Sequence, residues 1–284
     1  MKKRNLLILA CGALLAGATL TACAANQSAV ENGQSKTIGF MQLANEDKQR
    51  IWFRVRDTND DGEISKDDRI QSIYVIKNSK ANIYNIYDLN LAYIKDKKES
   101  EIIKLAREYD EKYFDEQKKE IIDSANNSIE NSKLKIEEYK TYSVETDQQK
   151  YQVEQEIQFE ERNIQEANQR LEAAKELNYE DALKLYSTYP LEAEVETDSS
   201  GNNVASEEIT FLSYQLKEEY NGSRYTIVSN DITSNIEAPI LGEIYDRTYK
   251  GFRYYNDEFL ITSSLDKSVN LGFDTLDTKH VTEK

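Results

Sequence analysis

The chain has 284 residues, with 36 Lys+Arg against 52 Asp+Glu and a single histidine. A net charge of −16 argues against nucleic acid as a partner and against electrostatic attachment to anionic lipid, because both need a cationic surface. One histidine rules out a histidine-dependent triad or a multi-histidine metal site within one chain.

The first residues read "MKKRNLLILACGALLAGATLTAC": three cations (Lys2, Lys3, Arg4), an apolar run, then small residues. That is the layout of a secretory signal peptide. Its end, Leu20-Thr21-Ala22-Cys23, resembles the bacterial lipobox. The resemblance implies cleavage before Cys23 and a diacylglycerol thioether on its sulfur. The alternative is an ordinary signal peptide with a chance cysteine. The other cysteine, Cys11, leaves with the signal, so no disulfide, thiol nucleophile or Cys-based metal site is expected afterwards. Removal of the signal lowers the cations from 36 to 33 against 52 anions, a net −19. A diacyl anchor suffices to hold such a body at a membrane.

The expected plan has five parts: signal peptide 1–22, lipidated cysteine and polar tether 23–36, an N-terminal β segment 37–94, a helical hairpin 95–189 and a C-terminal β segment 190–284. In the first β segment, "RIWFRV", "RIQSIYVIK" and "ANIYNIYDL" are rich in β-branched and aromatic residues, and "IYVIKNSKANIYNI" predicts a hairpin. Residues 97–178 lack Pro and Gly. Apolar residues recur there at helical spacing: Ile102, Leu105, Tyr109 and Tyr113, then Ile157, Ile164, Ala167, Leu171 and Ala174 with a polar gap at Glu160. "TYSVETD" predicts the turn between two antiparallel helices, "SANNS" a kink or break in the first, and "NYEDALKLYSTY" a short helix ended by Pro190. The C-terminal part predicts short strands separated by "NGS", "SND" and "YND". The fold class is α+β: a β-rich body from both ends of the chain with an inserted helical hairpin, or else two separate β domains.

"DTNDDGEISKDD", 57–68, is the one candidate metal site. It resembles EF-hand loops, and dockerin loops more nearly because it ends in Asp. By that resemblance Asp57, Asn59, Asp61, Glu63 (through its carbonyl), Ser65 and Asp68 would ligate Ca2+, with Gly62 at the sharp turn. Two features depart from the pattern: Asp68 replaces the longer Glu, and Arg69 follows where an apolar residue is usual. The flanks look extended rather than helical. The other reading is an acidic hairpin loop, since Asp-Gly is a common turn dipeptide.

No catalytic constellation stands out. The lone His280 reads as a tail residue, and the tyrosine-rich "GFRYYNDEF" reads as strand before it reads as a ligand platform. As a whole the chain resembles uncharacterised lipoproteins of Gram-positive bacteria, in "LTAC", the β block, the Lys/Glu-rich middle and the closing "FLITSSL…LGFDTLDTKHV". The resemblance implies an address on the outer face of the membrane through Cys23. The expected function is non-enzymatic binding of an envelope protein or glycan. A calcium- or carbohydrate-binding module is the alternative, and a histidine-independent hydrolase the lower one.

Overall fold

The computed structural model describes residues 36–186, 189–201, 203–219, 224–254 and 257–284. The signal region, Cys23 and the tether up to residue 35 lie outside the described residues. The elements run β1 (Lys36–Ile38), α1 (Phe40–Ala44), β2 (Arg50–Arg56), β3 (Arg69–Lys77), β4 (Lys80–Asn90), α2 (Leu91–Ile94), α3 (Glu99–Lys140), α4 (Asp147–Glu176) and α5 (Tyr179–Tyr186). They continue as β5 (Glu192–Thr197), β6 (Val204–Glu218), β7 (Tyr225–Ile244), β8 (Arg247–Tyr254), β9 (Glu258–Thr262), β10 (Val269–Leu271) and β11 (Val281–Glu283).

One nine-stranded sheet, in the order β11-β5-β6-β7-β8-β9-β2-β3-β4, joins strands from both ends of the chain. The joint is β2 against β9, antiparallel, with Phe53 opposite Ile261 and Arg56 opposite Glu258. The body is therefore one sheet with a helical insertion between β4 and β5, not two β domains. β1 and β10 form a separate parallel pair.

Strand alternation sends apolar residues to two faces. Trp52, Tyr74 and Ile76 join one core with Phe40, Phe211 and Phe252. Ile51, Phe53, Val55, Ile73 and Val75 join the other with Tyr249, Phe259 and Ile261. β2 and β3 thus read as near-continuous apolar runs because both faces are covered. The sheet curls until β4 approaches β6. Tyr74 then stacks on Phe211 at 4.8 Å, and Phe40 of α1 sits edge-on to both Trp52 (5.0 Å) and Phe211 (5.9 Å).

The predicted β3–β4 hairpin is present. Asn78 and Ser79 both have positive φ (53° and 62°), as a two-residue type I′ turn requires. Two expectations are corrected. "SND" is no turn: it lies inside the 20-residue β7, whose first half pairs with β6 and whose second half pairs with β8. The register breaks at Ile236/Pro239, where proline has no N–H for the ladder. "SANNS" does not split α3, which runs unbroken for 42 residues, about 63 Å. The small Ala125 is buried in that stretch, and Ser128 hydrogen-bonds back to the Ser124 carbonyl within the turn.

α3 and α4 pair as the predicted antiparallel hairpin. Ala125, Ser132 and Ile136 are buried on α3, and Ala167, Ala173 and Ala174 on α4. The turn is capped as its composition suggests: Thr146 and Gln149 form a reciprocal capping box. α3 starts on the second core through Ile102 and Ala106, crosses the edge strand β4, and reaches the first core by Phe114.

The two-sided core makes a specific demand on stability. Trp52→Ala is expected to cost about 3–5 kcal/mol by urea denaturation, whereas Leu134→Ala on the exposed arm should change it by less than about 0.5 kcal/mol. Similar losses for both would mean that the arm carries the core.

Candidate functional site

The 57–68 loop is built on two carboxylates that turn inward. Asp57 Oδ1 accepts the N–H of Asn59 (3.0 Å) and Asp60 (2.9 Å), and its Oδ2 accepts the N–H of Gly62 at 2.7 Å. Gly62 has φ 73°, in the left-handed region that glycine enters without strain. Asp68 Oδ1 accepts from the Ser65 hydroxyl (2.9 Å) and from Thr58, and its Oδ2 accepts the Ser65 N–H at 2.7 Å. Asp57 and Asp68 are buried, while Asn59, Asp61 and Glu63 stay at the solvent edge.

The loop is also fastened to the body. Arg253 Nη2 donates to the Gly62 carbonyl at 3.0 Å, and Ile64 packs on the second core beside Gly242. The Asp68 and Lys66 carbonyls accept the N–H of Leu91 and Ala92 in α2. The six expected ligands therefore share one loop, but the carboxylates at its two ends are engaged with the loop's own donors. Among the described residues, no group of three or more His, Cys, Asp or Glu is gathered as a metal would need.

Other polar centres with perturbed environments lie elsewhere among the described residues. Asp110, fully buried, lies where α3 crosses β4. Its Oδ1 accepts from the Asn85 N–H and side-chain amide (both 2.9 Å), and its Oδ2 accepts from the Tyr179 hydroxyl at 2.9 Å. Tyr214 adds a longer bond at 3.4 Å. One carboxylate thus ties α3 to β4, α5 and β6, and covers an outward amide of the edge strand. Burial pushes its pKa up to about 6, against the lowering effect of those donors. Of the residues at helical spacing in the sequence, Ile102 is buried, whereas Leu105, Tyr109 and Tyr113 are only half-buried; the fully covered line is Ile102, Ala106, Asp110 and Phe114.

Glu207 and Asp274 form a second buried centre. Asp274 accepts the N–H of Met41 (2.5 Å) and Gln42 (3.0 Å) at the start of α1, and its own N–H donates to Glu207 Oε2 at 2.9 Å. Gly39 permits this approach, since a Cβ there would stand 2.2 Å from Asp274 Oδ1. Burial and the Asp274 charge raise Glu207 well above the usual carboxylate range, and burial raises Asp274 too. The Met41 and Gln42 amides favour the charge on Asp274 and oppose the effect of burial there.

Lys250 donates to the carbonyls of Asp266 (3.0 Å), Lys267 (2.8 Å) and Val269, and burial lowers its pKa. Glu160, the predicted polar gap in the seam, bonds Ser132 (2.6 Å), Lys135 (2.8 Å) and Asn163 (3.1 Å). The Lys135 hydrogen bond is the main reason its pKa is lowered. Each of these groups is engaged by internal partners and serves to join segments.

The tyrosine-rich stretch belongs mainly to the core: Phe252, Tyr254 and Phe259 are buried, and Arg253 holds the acidic loop. Tyr255 lies outside the described residues. His280 sits in the turn before β11, where its carbonyl accepts the Ala193 N–H. Among the described residues no helix is long and apolar enough to cross a membrane. No protein-family model, curated protein or solved structure matches the chain.

The raised Asp110 pKa has a definite sign. An unfolded aspartate titrates near ~3.9, so folding takes up a proton between that value and the folded value of about 6. The stability carried by that proton is full below about pH 4 and is lost as the pH rises through about 6, on the order of 2–3 kcal/mol. Asp110→Asn should remove that share. Its stability relative to the parent should rise from pH 4 to pH 7, measured by urea melts at both. Parallel profiles would contradict the assignment.

Proposed function

We propose that the chain is a lipid-anchored, non-catalytic cell-surface protein whose helical arm binds another envelope or extracellular component. The observation that carries this reading is where the exposed apolar side chains lie. Of the ten large hydrophobics most open to solvent among the described residues, five (Leu134, Tyr142, Val144, Tyr151 and Phe159) belong to the distal part of the arm, with Leu134 63% and Tyr151 62% exposed. Tyrosines that are apolar in body and polar at the tip suit a protein interface. Tyr139 and Tyr142 meet edge-on at 5.6 Å, and Tyr142 donates to Glu138, so part of the tip is ordered in advance. The Ser132–Glu160–Lys135 cluster stiffens the arm behind it. Anchoring rests on the lipobox resemblance at Cys23.

The test keeps the body intact. Tyr142→Ser, Val144→Ser and Tyr151→Ser in one chain should leave the melting temperature unchanged and lower retention on isolated cell envelopes at least fivefold. Unchanged retention would remove the arm from the reading.

Calcium at 57–68 is the second reading. It is favoured by the preformed turn, in which Asp57 already holds the Gly62 N–H and Asn59 and Asp61 stand at the rim. Asp68 would have to release Thr58 or Ser65 to ligate, which suits the weak range of about 0.1–1 mM found for extracellular sites. Calorimetry should give a saturable heat that Asp57→Ala and Asp61→Ala both abolish. No heat at several millimolar calcium leaves the stretch as a self-satisfied turn.

A further inference from the structure

On the second face of the sheet, beside the start of α3, lies a recess of about 470 Å³. Its volume falls within the range usual for small-ligand sites, about 300–1,000 Å³. Three cations line it: Lys97 and Lys98 from the segment entering α3, and Arg247 at the start of β8. None of the three makes an ion pair among the described residues, although the chain carries 52 acidic residues against 36 basic ones. Lys97 lies 4.5 Å over the Tyr93 ring, a contact that leaves ammonium donors open. Asp96 and Glu99 are the acids on the rim, and Asp96 faces Lys95 at 3.8 Å. The lining is thus cationic by one charge within a strongly anionic molecule.

The other groups are donors and an apolar floor. Lys98 is the N-cap of α3; its own N–H is taken by Glu101 Oε2 at 2.7 Å, while the N–H groups of Glu99 and Ser100 have no intrahelical acceptor at this positive end of the helix. Ser263 and Ser264 add hydroxyls, the latter sharing a 2.9 Å bond with Thr262. Ile51, Phe53 and Ile102 form the floor. Beneath them Tyr249, 1% exposed, packs edge-on against Phe53, and its hydroxyl lies by the Arg247 side chain. The donors outnumber the roughly four lone-pair positions of a carboxylate and suit the three oxygens of a phosphate monoester.

We infer that this recess binds a phosphate monoester attached to an apolar group, with the phosphate on Lys97, Lys98, Arg247 and the α3 N-terminus and the apolar part on Ile51, Phe53 and Ile102. The chemistry is shared by soluble phosphomonoesters and by the headgroup of phosphatidic acid. The site is separate from the tip of the arm and does not depend on that reading.

The experiment uses the detergent-solubilised full chain. Calorimetry with phenyl phosphate, inorganic phosphate and benzoate is set beside co-sedimentation with vesicles of phosphatidylcholine alone or with phosphatidic acid. Phenyl phosphate should bind at least fivefold tighter than inorganic phosphate or benzoate. Lys98→Gln with Arg247→Gln should weaken it at least tenfold. Lys104→Gln with Lys119→Gln, the same charge change on the exposed side of α3, should weaken it less than twofold. If the Arg247 variant does not fold, Lys97→Gln with Lys98→Gln replaces it. Binding confined to phosphatidic-acid vesicles, and lost in the recess variants, assigns the lipid headgroup. Binding of soluble phenyl phosphate assigns a soluble ester. Tyr142→Ser with Tyr151→Ser should bind like the parent, which separates this site from the arm. The inference is overturned if neither probe binds, if both cation pairs lose affinity equally, or if benzoate binds as well as phenyl phosphate.

Discussion

The antiparallel pairing of β2 with β9 is the constraint on which the rest of the fold depends. It brings Phe53 to Ile261 and Arg56 to Glu258 across two hundred residues of chain. Arg54 reinforces it, bonding Glu258 at 2.6 Å while lying over the Tyr254 ring. Without this ladder the N-terminal three strands and the C-terminal six would each expose an edge and half a core. With it, the strands become one sheet whose far ends curl together, and α1 can plug the closure with Phe40. A pairing of such long sequence separation carries a large loop-closure cost before it returns any contact. The helical insertion reduces that cost, because the hairpin can form locally and carry its two ends back to the same side.

The buried polar groups sit at the joints this closure creates. Asp110 is where α3 crosses the sheet edge, Asp274 is where the C-terminal segment meets α1, and Lys250 is where the β9–β10 connection folds over β8. Each binds main-chain groups from a distant segment, which apolar contact could not hold in one register. A buried ion is weak evidence for stability, and replacing such groups by apolar ones is often neutral. Their value here is geometric. Each satisfies amides or carbonyls that loops and edges leave open, and each would leave them orphaned if it moved. This accounts for perturbed carboxyls that lie away from any open recess.

Much of this plan was legible in the sequence, and the exceptions have physical causes. Runs rich in β-branched and aromatic residues marked β2, β3 and β4, and the Pro- and Gly-free stretch with helical spacing marked the helices, because both signals are local. "KNSK" marked its hairpin because Asn and Ser tolerate the positive φ that a two-residue turn demands. "SND" misled because Ser229, Asn230 and Asp231 are held in a continuous ladder against Leu212, Ser213 and Tyr214 of β6, so tertiary pairing overrides three turn-prone residues. Asp110 was invisible beside Tyr109: a charged residue on a helix looks solvated until its partners Asn85, Tyr179 and Tyr214 are known. The acidic loop was recognisable by spacing, yet spacing could not reveal that Asp57 and Asp68 turn their oxygens onto the loop itself. The cationic recess had no sequence signal, since its residues come from four separate segments.

The distribution of charge then separates interior from exterior roles. A molecule with 52 anions repels anionic ligands at long range, and salt screens that repulsion beyond about 8–10 Å. A short-range site for an anion can survive in such a field only if its cations are not already neutralised by neighbours. Lys97, Lys98 and Arg247 meet that condition and share one recess; Lys104, Lys112, Lys140 and Lys175 do not meet it, since each faces a glutamate three or four residues away. The tip of the arm is different. Between Leu134 and Tyr151 the acids Glu137, Glu138, Glu145 and Asp147 stand beside Lys135, Lys140 and Lys150, and Glu137 is paired with Lys140, so the charges nearly cancel. With charge nearly balanced there, apolar contact rather than long-range attraction would govern what the tip meets.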